Sequence, residues 1–390
     1  VPKETFPGER RVALTPHVLP ALGKAGLSVL VEEGAGFEAG YPDAAYSGKG
    51  ARIAARREDL FGECDVILQV LALGANRPAG REDLTLMRAG QILVGMADPL
   101  SAPEEIREAA DRSLSVFCLE LLPRISRAQS MDVLSSMATV AGYKAVLLAA
   151  AFLPRIFPLL MTAAGTVHPA RVFVVGAGVA GLTAIATARR LGAQVEAYDV
   201  RPAVKEQVES LGAKFLDIPP PEEDAEDAGG YAKELDEEFY RRQRVMMTEA
   251  VSRSDVVITT AQVPGRKAPL LVTRAMVEAM APGSIIVDLA AAQGGNCELT
   301  RPGEPVSEHG VSVLGPLNLP ASIPYHASQM YARNVSTFLL HLVRDGKIVF
   351  DGTDEITRGT LAAHDGKVTH PRVREALGLP PLEASPEGSS

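Results

Sequence analysis

Residues 171–181 read Arg-Val-Phe-Val-Val-Gly-Ala-Gly-Val-Ala-Gly, and no other stretch indicates the fold as strongly. The apolar run at 172–175 predicts a buried β-strand. Residues from Val179 to Leu191 predict a helix rich in small residues, and Gly192 marks its end. A strand, a glycine-rich turn and a helix therefore follow one another without a gap.

The turn itself has the spacing Gly-x-Gly-x-x-Gly. Gly176 allows a tight turn, Gly178 lets a pyrophosphate approach the backbone, and Gly181 lets the helix pack closely on the strand. An anion fits there because free N–H groups and the helix dipole favour negative charge at a helix N-terminus. The pattern therefore predicts a dinucleotide-binding unit.

An acidic residue follows at the spacing that such a unit requires. Residues 194–199 predict the next strand, and Asp199 ends it, 18 residues after Gly181 (199 minus 181). A carboxylate there accepts hydrogen bonds from ribose hydroxyls and repels a 2′-phosphate, which favours NAD over NADP. Arg201 argues against this preference for NAD, because an arginine can bind the 2′-phosphate of NADP.

On both sides of this unit, short β-rich runs alternate with helical patterns, which predicts an α/β fold with parallel sheets. We expect two Rossmann-like doubly wound domains, the first completed by the C-terminal segment. The expected boundaries are 1–134 with 321–380 for the first domain, 135–320 for the nucleotide domain, and 381–390 for a flexible tail. The remaining predicted strands are 11–14, 28–32, 65–70, 91–96, 115–119, 255–260, 284–289 and 311–314.

Local signals predict the boundaries of three helices. Thr15 is expected to cap a helix that has Pro16 at its first position and stops before Gly26. Ser101 is expected to cap the helix between the strands 91–96 and 115–119, and residues 330–343 predict a long helix.

Composition narrows the class of protein. The chain has 390 residues with 46% hydrophobic and 22% charged residues, as in a globular protein. A net charge of -9 without a basic run argues against nucleic-acid binding. Three scattered cysteines and seven scattered histidines indicate neither a disulfide framework nor a metal site.

The most apolar stretch, 140–165, is interrupted by Lys144, Arg155 and two prolines. We therefore expect a buried helix and turn there, with no membrane span. The N-terminus shows no signal peptide, which favours a cytoplasmic location.

Two other glycine-containing segments need interpretation. Residues 34–40 read Gly-Ala-Gly-Phe-Glu-Ala-Gly, but turn chemistry follows, so we expect a structural loop. Residues 219–238 form a long acidic segment with three prolines and a Gly-Gly pair. It is either a solvated insertion or a lid that closes over a ligand, and the sequence leaves both open.

Longer strings resemble one family. The chain resembles alanine dehydrogenase and its relative, the NAD(H)-binding component of proton-translocating transhydrogenase. The similarity extends from Pro2 to about His341. It is carried by Arg-Arg-Val-Ala-Leu-Thr-Pro at 10–16, by the glycine turn, by Val-Pro-Gly-Arg-Lys-Ala-Pro at 263–269, and by Gln-Gly-Gly at 293–295.

Within this family the sequence resembles the transhydrogenase component more. Alanine dehydrogenases place a lysine, a histidine and an aspartate where this chain has Leu71, Asp98 and Ala292, so only Arg11 of that substrate set remains. Leucine and alanine cannot perform acid–base work. Hydride transfer between two nicotinamides needs positioning and exclusion of water instead.

The resemblance also implies the site residues. Residues 123–136 resemble the transhydrogenase loop around the nicotinamide, which implies catalytic contacts from Arg124, Gln129, Asp132 and Ser135. Residues 229–234 resemble its mobile loop. The implied cofactor-binding residues are Ile125, Ser126, Arg127, Ser130, Met131, Gly176, Gly178, Val179, Gly181, Asp199, Val200, Arg201, Gly230, Tyr231, Gln243 and Gln262.

Simpler roles remain open for some of them. Arg124 could pair with a surface acid, and Asp132 could cap the helix that runs through Gly142.

The function that the resemblance implies is the presentation of NADH to NADP⁺ on a partner. It further implies NADP(H)-binding and membrane-spanning partner components, a homodimer, and a place at the cytoplasmic side of the inner membrane through those partners. The alternatives are an amino-acid dehydrogenase and a nucleotide-binding module without turnover.

Overall fold

The computed structural model describes residues 1–77, 79–217, 237–263 and 265–382. The chain divides into two units, one made of Val1–Met137 with Ala321–Ser390 and one of Ala138–Pro320. The described helices are α1 Leu19–Lys24, α2 Asp43–Ser47, α3 Arg57–Glu63, α4 Ala79–Leu86, α5 Pro103–Asp111, α6 Val133–Phe152, α7 Val179–Arg190, α8 Lys205–Ser210, α9 Glu237–Ser252, α10 Arg274–Glu278, α11 Pro324–Leu342, α12 Glu355–Thr360 and α13 Pro371–Ala376. The described strands are β1 Leu30–Glu32, β2 Arg52–Ala54, β3 Val66–Leu71, β4 Ile92–Met96, β5 Ser115–Cys118, β6 Leu160–Thr162, β7 Gly165–Val167, β8 Arg171–Val175, β9 Gln194–Tyr198, β10 Lys214–Phe215, β11 Val256–Thr259, β12 Ile285–Asp288, β13 Pro305–Glu308, β14 Val311–Leu314, β15 Val343–Arg344, β16 Lys347–Ile348, β17 Leu361–His364 and β18 Lys367–Val368.

The second unit is a doubly wound sheet. Its strand order is β10-β9-β8-β11-β12-β14-β13, and every neighbouring pair is parallel except β13 with β14. Alternate residues of β8 enter different cores, because successive side chains of a strand point to opposite faces. Val172 and Val174 belong to one buried cluster, Phe173 and Val175 to the other. Both faces are therefore covered, and the predicted α/β class is confirmed.

The first unit is completed from the end of the chain. Its main sheet has the order β18-β17-β5-β4-β3, in which β3, β4 and β5 are parallel and β17 is antiparallel to β5. One difference from the expectation is that β1 pairs with β2 in a separate two-stranded sheet.

The prediction of a strand at residues 11–14 was wrong. The chain is not a strand there, although Val12, Ala13 and Leu14 are all buried. Its backbone groups bond to side chains instead, since Val12 N–H donates to Ser328 Oγ and Tyr46 Oη donates to the carbonyl of Leu14. The run is apolar because it is buried between neighbouring elements. An apolar run this short does not distinguish a buried irregular segment from a strand.

Three helix starts also differ from the sequence prediction. Helix α1 begins at Leu19 with Pro20 in its first turn, so neither Thr15 nor Pro16 starts it. Helix α5 is preceded by Ala102 and has no side-chain cap, so Ser101 does not cap it. Helix α11 begins at Pro324, six residues before the predicted start. In all three helices a proline occupies the first turn, where its missing N–H costs nothing.

The apolar stretch forms a helix and a hairpin. Helix α6 is the one described helix that is long and apolar enough to cross a membrane, but core helices of soluble proteins meet the same criterion. Ala145, Val146 and Ala149 of α6 are fully buried in the core of the second unit. The glycine segment 34–40 contains only a short 3₁₀ helix, Phe37–Ala39.

Candidate functional site

The glycine turn has the geometry that its three positions predict. Gly176 has a φ of +96°, and a Cβ built there would lie 2.5 Å from Thr260 Oγ1. A Cβ on Gly181 would lie 1.8 Å from the carbonyl oxygen of Gly176. A Cβ on Gly178 would meet no atom of the described residues within 4 Å. Two glycines are therefore required by close packing, and the third faces open space.

Helix α7 starts directly at this open position. Gly178 is its N-cap residue, no described side chain caps it, and Val179 is exposed. The first N–H groups of a twelve-residue helix therefore point to the open side of the turn. This arrangement suits an anionic group.

Asp199, which follows β9, connects the turn to Arg201. Its Oδ2 accepts from Ala177 N–H at 2.7 Å and from the Arg201 guanidinium at 2.9 Å. Its Oδ1 accepts from the backbone N–H and the Nε–H of Arg201, both at 2.9 Å. A carboxylate has about four acceptor positions. A ribose hydroxyl can thus bond to Asp199 only if Arg201 moves.

The other predicted residues of the second unit lie in different environments. Val200 is half-buried after β9. Gln243 is buried in α9, where its Nε2 donates to Tyr198 Oη at 3.0 Å. Gln262 is exposed and donates to the carbonyl of Leu289. Gly230 and Tyr231 lie outside the described residues. The same is true of nearly all of the acidic segment 219–238, so neither the solvated insertion nor the lid predicted there is tested.

In the first unit, the segment predicted to meet the nicotinamide contains a 3₁₀ helix, Ser126–Met131, that leads into α6. Met131 is buried and Ile125 is half-buried. The exposed members of the predicted set are Arg124, Ser126, Arg127, Gln129 and Ser130. Polar side chains of this segment are therefore accessible to a ligand.

Asp132 has the structural role that the simpler interpretation assigned to it. Its Oδ1 accepts from Ser135 N–H at 2.9 Å and its Oδ2 from Ser135 Oγ at 2.5 Å. These bonds cap the N-terminus of α6. They also fix the two side chains relative to each other.

Buried carboxyl groups at the carboxyl ends of β3 and β4 were not indicated by any sequence pattern. Glu4 accepts from the N–H groups of Val70 and Leu71, and burial raises the pKa of Glu4 to about 8. Glu120 accepts from the N–H groups of Ala97 and Asp98, and burial raises its pKa to about 7. In an open α/β sheet this edge is where ligands bind, and here internal carboxyls occupy part of it.

At the three positions where alanine dehydrogenases place a lysine, a histidine and an aspartate, this chain has only one acid–base group, Asp98. Leu71 is the last residue of β3, and Ala292 lies in a short 3₁₀ helix of the second unit. Arg11 is buried and forms a two-pronged ion pair with Glu9, at 2.8 and 2.6 Å.

Comparison with known proteins places the chain in a family. The model described as Alanine dehydrogenase/PNT, N-terminal domain, matches residues 1–141, and the one described as Alanine dehydrogenase/PNT, C-terminal domain, matches 145–371. A protein of Rhodospirillum rubrum that forms the first portion of NAD(P) transhydrogenase subunit alpha is 45% identical over 378 residues, which cover 95% of this chain and 97% of that protein.

Two solved structures match nearly the whole chain. A transhydrogenase from Sinorhizobium meliloti superposes with a TM-score of 0.85 at 43% identity, covering 94% of this chain and 98% of that one. An L-alanine dehydrogenase superposes with a TM-score of 0.81 at 28% identity, covering 97% and 98%. The chain therefore belongs to the Alanine dehydrogenase/PNT family, a family of nicotinamide-nucleotide oxidoreductases, and it is more similar to these transhydrogenase chains than to this alanine dehydrogenase.

Proposed function

We propose that the chain binds NAD(H) and presents the nicotinamide for direct hydride transfer to NADP⁺ on a partner component. The observation that carries this proposal is the open glycine turn at the start of α7, with Asp199 beside it. NADH bound there supplies the hydride. The protein binds and orients the nucleotide and keeps water away.

The turn fits a pyrophosphate in shape and charge. The open side of Gly178 leaves room for phosphate oxygens, and the N-terminal amides of α7 can donate to them. The close contacts of Gly176 and Gly181 leave no room for a Cβ at either position, so the turn brings the start of α7 directly against the end of β8.

Asp199 supports NAD(H) over NADP(H). Its carboxylate can accept from ribose hydroxyls once the Arg201 side chain moves away. The same carboxylate would repel a 2′-phosphate. Arg201 is the residue that could weaken this preference, so both nucleotides belong in the test.

For the nicotinamide end, we propose the residues of the first unit that the resemblance implies. Arg124, Gln129, Asp132 and Ser135 contact the nicotinamide and its ribose. The Asp132–Ser135 bonds support this role, because they set both side chains in one orientation. Ile125, Ser126, Arg127, Ser130 and Met131 form the rest of the segment.

The amino-acid dehydrogenase alternative is weaker on chemistry. Imine formation and reduction require proton transfer, and Leu71 and Ala292 cannot provide it. The relatives named as subunit alpha also favour a chain that works with partners. We propose that these partners bind NADP(H) and span the inner membrane, with this chain on the cytoplasmic side.

Assays with the isolated chain and with added partner test the function. We expect the isolated chain to bind NADH more tightly than NADPH and to leave NADH unoxidised with pyruvate and ammonia. We expect turnover after addition of the NADP(H)-binding component. Oxidation with pyruvate and ammonia would instead establish the dehydrogenase alternative, and binding without turnover in either assay would establish the non-catalytic module.

We further propose that the chain forms a homodimer through the hairpin β6–β7. All six residues of its strands are exposed, including Leu160, Met161 and Val167, and Leu159 before it is also exposed. Residues 159–167 carry no charge. A lone two-stranded hairpin is marginal in water, and an uncharged exposed patch usually marks an interface. A second copy is the occupant that twofold symmetry favours, because one apolar surface can serve both subunits.

Sedimentation of the wild type and two lysine variants tests the dimer. The chain has a mass of 41.2 kDa, and we expect the wild type to sediment at twice that mass. Met161→Lys places a charge at an 80% exposed position in the hairpin and should give monomers. Phe37→Lys changes a 72% exposed aromatic residue of the first unit and should leave the dimer intact. A monomeric wild type, or a dimeric Met161→Lys, contradicts the proposed interface.

A further inference from the structure

An ion pair connects the segment 126–131 to the C-terminal part of the first unit. Arg127 Nη1 lies 2.7 Å from Asp354 Oδ1. Asp354 precedes α12 as its N-cap residue, and its Oδ2 accepts from Thr357 N–H at 2.7 Å. His341 Nε2 lies 2.9 Å from the same oxygen. The Asp354 side chain is only 12% exposed, so these partners fix its orientation.

Helix α11 contacts the same segment at a second point. Asn334 Nδ2 donates to the carbonyl oxygen of Ser130 at 2.8 Å. Asn334 and His341 are seven residues apart, about two helical turns, so they lie on one face of α11. This face supports the segment directly at Ser130 and, through Asp354, at Arg127.

Asp354 is ionised at neutral pH. Burial alone would raise the pKa of Asp354, but the hydrogen bonds from His341, Thr357 and Arg127 outweigh it and hold the pKa well below its usual range. The contact with Arg127 is therefore charge-assisted. Such a bond is shorter and more directional than one between neutral groups.

We propose that Asp354 is a positioning residue for hydride transfer, which acts by holding Arg127 and with it the segment that carries Gln129. This inference rests on the proposed function of that segment. Because reaction rates fall steeply when reacting groups are slightly misplaced, a loosened segment slows the hydride step more than it weakens nucleotide binding. Asp354 acts through Arg127 and does not itself touch a reacting atom.

Asp354→Asn is the informative variant. The asparagine can still cap α12, since asparagine is as good an N-cap as aspartate. Its single remaining oxygen cannot serve both Thr357 and Arg127, and the charge is lost. We expect single-turnover hydride transfer with the partner component to slow about tenfold. NADH affinity should stay within about twofold. The variant should melt somewhat earlier than the wild type, because a charge-assisted contact is lost, but it should remain fully folded at the assay temperature.

A double-mutant cycle separates positioning from general damage. If Asp354 acts through Arg127, Asp354→Asn should slow Arg127→Ala no further. Asp59→Asn, which breaks the exposed Arg56–Asp59 pair of the same unit, is the matched control and should leave the rate unchanged. Additive losses in the cycle, or a wild-type rate in Asp354→Asn, overturn the proposal.

Hydrogen exchange without nucleotide provides a readout that does not depend on turnover. Amides of residues 126–131 should exchange several-fold faster in Asp354→Asn than in the wild type, and at the wild-type rate in Asp59→Asn. If the wild type transfers no hydride, the proposed function fails. Hydrogen exchange alone then tests whether Asp354 holds the segment 126–131 in place. Equal exchange in Asp354→Asn and the wild type overturns that role.

Discussion

Replacing Gly181 by alanine should abolish NADH binding and destabilise the second unit. The added Cβ would lie 1.8 Å from the carbonyl oxygen of Gly176, so the turn and α7 must separate. Overpacking a tight contact costs about 1–3 kcal/mol and sometimes more. We expect the melting temperature to fall by about 5–10 °C and NADH affinity to fall more than about 100-fold. Calorimetry and nucleotide titration measure the two effects.

Gly178→Ala is the matched control for this variant. Its Cβ has no neighbour within 4 Å in the part of the chain that the structure describes, and its φ of -75° suits alanine, so the protein should fold and melt like the wild type. The methyl group would nevertheless occupy the space assigned to the pyrophosphate. We expect normal stability with weakened NADH binding. Wild-type affinity in Gly178→Ala would place the pyrophosphate elsewhere.

Gln129→Asn should slow the single-turnover hydride step about 100-fold and change NADH affinity little. The substitution keeps the amide and shortens the exposed side chain by one methylene. A misplacement of about 1 Å can cost a factor of about 100, because the reacting carbons must approach to about 3–3.5 Å. Stopped-flow mixing with the partner component measures the rate, and equilibrium titration measures the affinity.

Gln194→Asn makes the same chemical change at an exposed position at the start of β9. It should transfer hydride at the wild-type rate. The assignment of Gln129 is refuted if both variants behave alike, or if Gln129→Asn loses affinity in proportion to rate.

The glycine turn of the second unit was predictable because its signals are local. The strand β8, the turn and α7 are consecutive, and the steric requirements of Gly176 and Gly181 come from residues within a few positions or directly after the adjacent strand. The prediction of a strand at 11–14 was wrong because the contacts of this run are not local. Its backbone bonds to residues that are distant in sequence, such as Ser328, and no local pattern separates that case from a strand.

The support of the segment 126–131 could not be predicted from sequence either. Asn334, His341 and Asp354 lie more than 200 residues from Ser130 and Arg127, and none belongs to a motif. Asp132 shows a further limit. The residue type fits both a ligand contact and a helix cap, and the structure shows the cap without testing the contact.

The split of the first unit also determines the order in which the ribosome can complete it. Strand β5 ends at Cys118, but its neighbour β17 ends at His364, 246 residues later (364 minus 118). At about 5–20 residues per second, synthesis of that stretch takes about 12–50 s. During that time the edge of β5 that will pair with β17 has no partner, while the whole contiguous second unit is made. The nascent chain therefore passes through a period in which an apolar strand edge is available for wrong pairing, and chaperone binding at β5 would protect it.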